Sequence, residues 1–114
     1  MSELTLTLIR TLQREGQAPV IDLINALRAA GLPAVVVSAR RTHARQTQLI
    51  SAGLTTATRS RHLEGRAWDL GFRGVRSRAV PSYWWRAAGE SWERMGGRWG
   101  GRFRPAADPL HFDW

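Results

Sequence analysis

The sequence predicts a small α+β domain, and three observations carry that prediction. The chain has 114 residues, room for one hydrophobic core but not for a second. Apolar residues recur at helical spacing in the first third of the chain and again over 81–95, whereas the apolar runs at 34–37 and 67–70 are short and lack that period. Helical patterns come first and most short strands later, the order expected of helices packed on an antiparallel sheet. Hydrophobic residues at 43% and charged residues at 23% are globular values and exclude wholesale disorder.

Taken in order, Leu4, Leu6, Leu8, Ile9 and Leu12 before Glu15-Gly16 suggest a short helix stopping there, although the alternation of the three leucines also fits a strand. Pro19 suits a first helical turn, and Val20, Ile21, Leu23, Ile24 and Leu27 continue it until Gly31 and Pro33 end it. Ala34-Val35-Val36-Val37 reads as a buried strand. A helix is predicted from Ala44 to Ala52 with its end at Gly53, and the stretch 55–60 reads as loop. Ala67–Leu70 reads as a strand, and a Gly- and Arg-rich connection follows through Ser77. Pro81–Met95 makes an amphipathic helix with Trp84, Trp85 and Trp92 in the core. Glycines and Pro105 then leave room only for short strands near Trp99 and over His111–Trp114. The whole chain, 1–114, reads as one domain.

Composition narrows the chemistry. There is no cysteine, so thiolate metal sites, thiol nucleophiles and disulfides are all excluded. Net charge is +8 and all 17 basic residues are arginine. That pattern fits an anionic partner, since guanidinium forks onto carboxylate and phosphate, and it equally fits codon bias in a GC-rich genome. The arginines are scattered and no nucleic-acid motif accompanies them, so nucleic acid is not the expected partner. No apolar run approaches the roughly 20 residues of a membrane span. The start, MSELTLTLIRTLQREG, has no basic segment before its apolar residues, so no secretory signal is read there. A monomer made in the cytoplasm is expected, with any work outside it requiring release by another agent.

Three histidines exist, and two of them have carboxylates at informative spacing: His62 with Asp69, and His111 with Asp108. Read singly, each is as well a surface or hydrogen-bonding residue. Read together, His62, Asp69 and His111 offer two nitrogens and an oxygen, the donor set of a zinc ion that keeps a fourth position for water. Seven extended residues span roughly 23 Å, so His62 and Asp69 can share an ion only if the chain bends between them. Gly65 allows a sharp turn and Ala67 a close approach. Asp108 is near enough to His111 to serve as a proton carrier without being a ligand, and Arg41 can neutralise an oxyanion. His43 falls outside these clusters and reads as a surface residue at a helix start. Trp68 and Trp114, near Asp69 and His111, could wall a cleft, although alternation could equally turn Trp68 into the core.

Ser60 to Asp69 reads S-x-H-x-x-G-x-A-x-D and Asp108 to Phe112 reads D-x-x-H-F. The five fixed positions of the first motif arise by chance on the order of once in ten thousand chains of this length. Together they resemble the zinc peptidases of bacterial peptidoglycan, the VanY-like D-Ala-D-Ala carboxypeptidases and the L-alanyl-D-glutamate endopeptidases of phage endolysins. Ser38-Ala39-Arg40-Arg41-Thr42 with Gln46 and Leu49 is similar to the family's S-G-Y-R-S/T segment, departing at Ala39 and Arg40. Trp99-Gly100-Gly101 is similar to a W-G-G of the endolysin branch. The likeness runs from about residue 20 to the end.

The resemblance implies zinc ligands His62, Asp69 and His111, Asp108 as general base and acid, and Arg41 as stabiliser of substrate or transition state. It implies substrate positioning by Ser60 and a hedgehog/D,D-peptidase-like fold whose antiparallel sheet holds the metal. Aspartate at 108 is similar to the endopeptidase branch, where the carboxypeptidase branch often has glutamate. The expected function is therefore hydrolysis of peptidoglycan stem peptides between L-alanine and D-glutamate by a phage or prophage lysin. Such a lysin would reach the cell wall in the periplasm after holin-dependent release. The alternatives are a D-Ala-D-Ala carboxypeptidase with the same site, and a non-catalytic wall-binding module with a structural zinc.

Overall fold

The computed structural model describes residues 1–54 and 60–114. Helices α1 (Glu3–Ile9) and α2 (Arg14–Ala29) precede strand β1 (Ala34–Ser38), helix α3 (His43–Ser51) and strand β2 (Ala67–Phe72). Helix α4 (Ser82–Arg94), strand β3 (Arg98–Trp99) and strand β4 (His111–Asp113) complete the fold. The four strands form one antiparallel sheet in the order β1-β2-β4-β3, so the predicted α+β class holds. Among the described residues no helix is long and apolar enough to cross a membrane.

Two helix starts are fixed by hydroxyl caps. Ser2 accepts from the Thr5 amide and Thr42 from the Arg45 amide, each satisfying a donor that the first turn leaves unpaired. The N-terminal segment is a helix, which settles its helix-or-strand ambiguity. The predicted stop at Glu15-Gly16 is overturned, since both residues lie inside α2, which begins at Arg14. Gly16 is instead a packing notch: a Cβ there would lie 2.1 Å from the Trp114 ring. Pro19 also sits well inside α2 rather than in its first turn. Its missing N–H removes one helical bond, a loss offset by burial of Val20, Leu23, Ile24 and Leu27 on one face. The stretch predicted as loop over 55–60 lies, apart from Ser60, outside the described residues.

Strand alternation divides β2 and β4 between two faces. Trp68, Leu70, Phe72 and Phe112 enter the core, where Trp68 stacks on Phe112 at 4.6 Å between centroids. Trp92 of α4 meets Trp68 edge to face at 5.6 Å, and Trp85 meets Phe72 at 5.1 Å, so α4 covers this face as its tryptophans predict. Trp84 is only partly buried against the same cluster. Trp68 is fully buried, and Trp114 packs against Gly16 and Trp92, so neither walls the metal cleft.

Candidate metal centre

The opposite face of β2 and β4 builds the site. Asp69 on β2 is paired across the ladder with His111 on β4, so their side chains stand next to one another on one face. His62 comes from the turn preceding β2. Gly65 takes φ +71°, a left-handed conformation that reverses the chain and returns it to Asp69. The turn is tied down at several points. The Arg41 amide donates to the His62 carbonyl at 2.8 Å, Gln13 Nε2 donates to the Glu64 carbonyl at 2.8 Å, and Arg40 donates to the carbonyls of Thr11 and Glu64. A Cβ at Gly65 would lie 2.5 Å from Arg40 Nη2, so the guanidinium occupies the space the glycine leaves.

The three predicted ligands converge. His62 Nε2 is 3.4 Å and His111 Nδ1 3.9 Å from Asp69 Oδ1, and one donor atom from each residue lies within 4.8 Å of the others. Donors at about 2.1 Å around a tetrahedral zinc stand roughly 3.4 Å apart, so a small inward movement of the side chains would seat one ion. The donor chemistry fits too. His62 is buried, and its Nδ1 lies 2.7 Å from the Ala39 carbonyl, which can only accept. Nδ1 therefore carries the proton, and Nε2 presents a lone pair towards Asp69 and His111. Among the described residues this is the one group of three His, Cys, Asp or Glu side chains that converges in this way.

The trio forms the floor of a cleft of about 290 Å³ lined also by Asp108, Arg41, Ser60, Leu49 and Leu54. Asp108 is held over the cleft by the loop after β3: its amide donates to the Gly100 carbonyl at 2.8 Å and its carbonyl accepts from the His111 amide at 3.0 Å. A Cβ at Gly100 would lie 2.2 Å from the Asp108 carbonyl oxygen, which explains the glycine of the W-G-G segment. The Asp108 carboxyl is held above the ordinary aspartate range, first by desolvation and then by the like charge of Asp69. His111, the Leu110 amide and His62 oppose that rise without cancelling it. A proton carrier with a raised pKa suits the expected role.

Arg41 Nη1 donates to Gln46 Oε1 at 2.8 Å, which fixes the guanidinium at the cleft wall and gives the predicted Gln46 its place. Ser60 Oγ accepts from the His62 amide at 3.2 Å, leaving its own O–H free to turn towards a substrate. His43 starts α3, is exposed, and is not part of the cluster.

Two residues escaped the sequence reading. Asp113 is fully buried beside His111, with Oδ2 at 2.6 Å from His111 Nε2, and Arg98 clamps it through two bonds of 2.8 Å. Burial would raise the Asp113 pKa, but the hydrogen bonds from His111 and Arg98, with their charges, more than offset this and hold it below the ordinary range. The signal was the spacing itself, since residues two apart on a strand share a face. A second groove, about 360 Å³, lies beyond His111 and is lined by Arg61, Glu64, Arg98, Phe103 and Asp113. It shares Ser60 and His111 with the metal cleft, so the two grooves adjoin at the cluster.

Comparison with known proteins agrees with the expected family. A family model described as D-alanyl-D-alanine carboxypeptidase matches residues 54–114, just over half of the chain. The L-Ala D-Glu endopeptidase ChiX of Serratia marcescens is similar in structure with a TM-score of 0.73 and 26% identity, over 99% of this chain and 87% of that one. The vancomycin-resistance D,D-pentapeptidase VanY of a VanB-type cassette, solved as a mutant with Zn(II), matches with a TM-score of 0.69 and 22% identity, over 90% of this chain and 72% of that one. The LD-carboxypeptidase LdcB matches with a TM-score of 0.70 and 13% identity, over 90% of this chain and 58% of that one. At these lower identities the last two bear on the fold alone. No curated protein matches the chain by sequence.

Proposed function

The chain belongs to the D-alanyl-D-alanine carboxypeptidase family of peptidases, and we propose that it cuts peptidoglycan stem peptides as an L-alanyl-D-glutamate endopeptidase. In this reading His62, Asp69 and His111 hold a zinc ion. One observation carries the endopeptidase choice. The metal cleft adjoins further grooves on two sides, sharing Ser60 and His111 with one that reaches Arg98 and Phe103, and Arg41 and Leu49 with one that reaches Arg45. Room on both sides of the cluster is what an enzyme cutting inside a peptide requires. The 26% identity to an L-Ala D-Glu endopeptidase over nearly the whole chain supports the same choice.

A zinc ion in such a site supplies Lewis acidity towards a carbonyl and lowers the pKa of a water molecule to about 7. The protein's own groups do the rest. Asp108 takes the proton from the attacking water and returns it to the leaving amine. The Arg41 guanidinium, steadied by Gln46, donates to the oxyanion that forms on the scissile carbonyl. The Ser60 hydroxyl donates to the substrate backbone. Among the described residues three protein ligands converge rather than four, the number that leaves a catalytic zinc a position for water, which counts against a silent wall-binding module.

Mass analysis of muropeptides from purified peptidoglycan treated with zinc-loaded protein tests the proposal. New amino-terminal glutamate is the expected product. Loss of a single terminal alanine would assign the carboxypeptidase reading, which the family model's description favours. No new termini, with Asp108→Ala behaving identically, would overturn the endopeptidase reading. The proposal extends to lysis by a phage or prophage. Protein directed to the periplasm should then lyse the cell, while the same protein confined to the cytoplasm should not.

A further inference from the structure

The two imidazoles of the cluster are anchored differently. His62 is oriented by a main-chain carbonyl, at 2.7 Å from Ala39. His111 has no such carbonyl. Its Nδ1 is 3.9 Å from Asp69 Oδ1, too far for a hydrogen bond, and its Nε2 is 2.6 Å from Asp113 Oδ2. Asp113 is fully buried, and among the described residues its carboxylate also meets Arg98 Nε at 2.8 Å from Oδ1, Arg98 Nη2 at 2.8 Å from Oδ2, and Arg61 Nε at 3.9 Å from Oδ1, donors and cations all.

We infer that Asp113, clamped by Arg98, is a positioning residue that fixes the ring of His111 so that Nδ1 faces the metal site. The reasoning is one of valence. A carboxylate held by a bidentate guanidinium stays ionised and can only accept, so Nε2 must donate. A neutral imidazole with its proton on Nε2 has its lone pair on Nδ1, the atom that points to Asp69 and His62. The strand adds rigidity. His111 and Asp113 sit two apart on one face of β4, with Asp113 paired to Ala67 of β2 and to Arg98 of β3. The Trp92 indole N–H also donates to the Asp113 carbonyl at 2.9 Å, fixing the backbone from the core side. Asp113 lines the neighbouring groove rather than the metal cleft, and it acts on the cluster through His111. Orienting carboxylates of this kind change metal affinity by about 10–100-fold when removed.

The inference rests on His111 being a metal ligand, and its first test does not need the metal. Nitrogen-15 spectra of the metal-free wild-type protein, at a pH where His111 is neutral, should show Nε2 protonated and Nδ1 bare. The opposite tautomer would overturn the inference without any variant. Asp113→Ala should move the His111 ring-nitrogen signals and weaken zinc binding by about 10–100-fold in a chelator competition. Arg98→Ala, at an exposed edge position that leaves the core intact, should weaken zinc binding in the same direction by less. Should Asp113→Ala fail to fold, Arg98→Ala gives the result. Unchanged His111 signals and zinc affinity in the variants that fold would mean that Asp113 and Arg98 are a structural ion pair only. Failure of the metal reading looks different: wild-type protein would bind no zinc, whatever the His111 tautomer.

Discussion

Gly65→Ala should loosen the turn that presents His62, and the cost follows from the glycine's neighbours. At φ +71° an L-residue is strained by about 1–2 kcal/mol. The new Cβ would lie 2.5 Å from Arg40 Nη2, so the guanidinium must move away. In moving it gives up its bonds to the Thr11 and Glu64 carbonyls, together about 1–2 kcal/mol at this exposed position. The total of about 2–4 kcal/mol lowers the melting temperature by roughly 8–16 °C, at about 4 °C per kcal/mol for a domain of this size. Arg40→Ala loses the carbonyl bonds without the strain, about 1–2 kcal/mol. The double variant therefore melts close to Gly65→Ala, with a coupling of about 1–2 kcal/mol in the cycle. Thermal unfolding of the metal-free proteins measures all three. Zinc affinity of Gly65→Ala should fall in parallel, because the strained turn is the one that carries His62. Strictly additive costs in the double variant would refute the reasoning, since they would mean that Arg40 never yields to the new methyl group.

Asp108→Ala should lower turnover by about 10²–10⁴-fold while zinc stays at one per chain by atomic emission, and loss of the metal together with activity would make Asp108 a ligand instead. In carboxyl-carbon titrations of the metal-free protein, Asp108 should have its midpoint above about 3.9 and Asp113 below it. The signs for stability are opposite. A lowered folded-state pKa makes Asp113 stabilising above the ordinary aspartate range, a contribution lost as pH falls through its folded value. The raised value makes ionised Asp108 unfavourable to the fold as pH rises past the unfolded value. Zinc loading should pull the Asp108 midpoint down, because a cation beside it favours the carboxylate. At a free zinc concentration 100 times the dissociation constant the fold should gain about 2.7 kcal/mol, roughly 10 °C in the melt, and His62→Ala should abolish that gain.

What the sequence made legible was what lies close along the chain. The helical face of Val20, Leu23, Ile24 and Leu27, the tryptophans of α4 and the glycine turn at Gly65 each announce themselves within a few residues. The three metal-site residues were readable because the motif resembles a known family, not because their spacing alone dictates a cluster. What stayed hidden depends on pairing between distant segments. Gly16 reads as a helix stop until Trp114, almost a hundred residues later, is seen to rest on it. The spacing of two between His111 and Asp113 is visible in the sequence, but Arg98, which makes Asp113 a clamped acceptor, comes opposite it only in the ladder. Trp114 lies near His111 in the chain, yet it packs against Trp92 and Gly16, away from the metal.

The two anchoring modes give the two imidazoles different tolerance to sequence change. A main-chain carbonyl survives any side-chain substitution that preserves the local backbone, so the His62 anchor asks of position 39 only a side chain small enough for the core to bury. That accounts for why Ala39 and Arg40 can replace the family's glycine and aromatic without disturbing the site. Ala39 still offers its carbonyl to His62, and Arg40 turns outward to brace Gly65 and Glu64. The His111 anchor is a side chain that itself depends on a second side chain, Arg98, more than half exposed on a two-residue strand. Substitution there reaches the metal site through a relay of two hydrogen-bonded steps, from guanidinium to carboxylate to imidazole. Alanine at 98 or 113 should therefore weaken zinc binding more than alanine at 40, which loosens the turn but leaves the Ala39 carbonyl on His62. An affinity survey across those three positions that found the reverse ranking would place the rigidity of the site in the turn rather than in the strand.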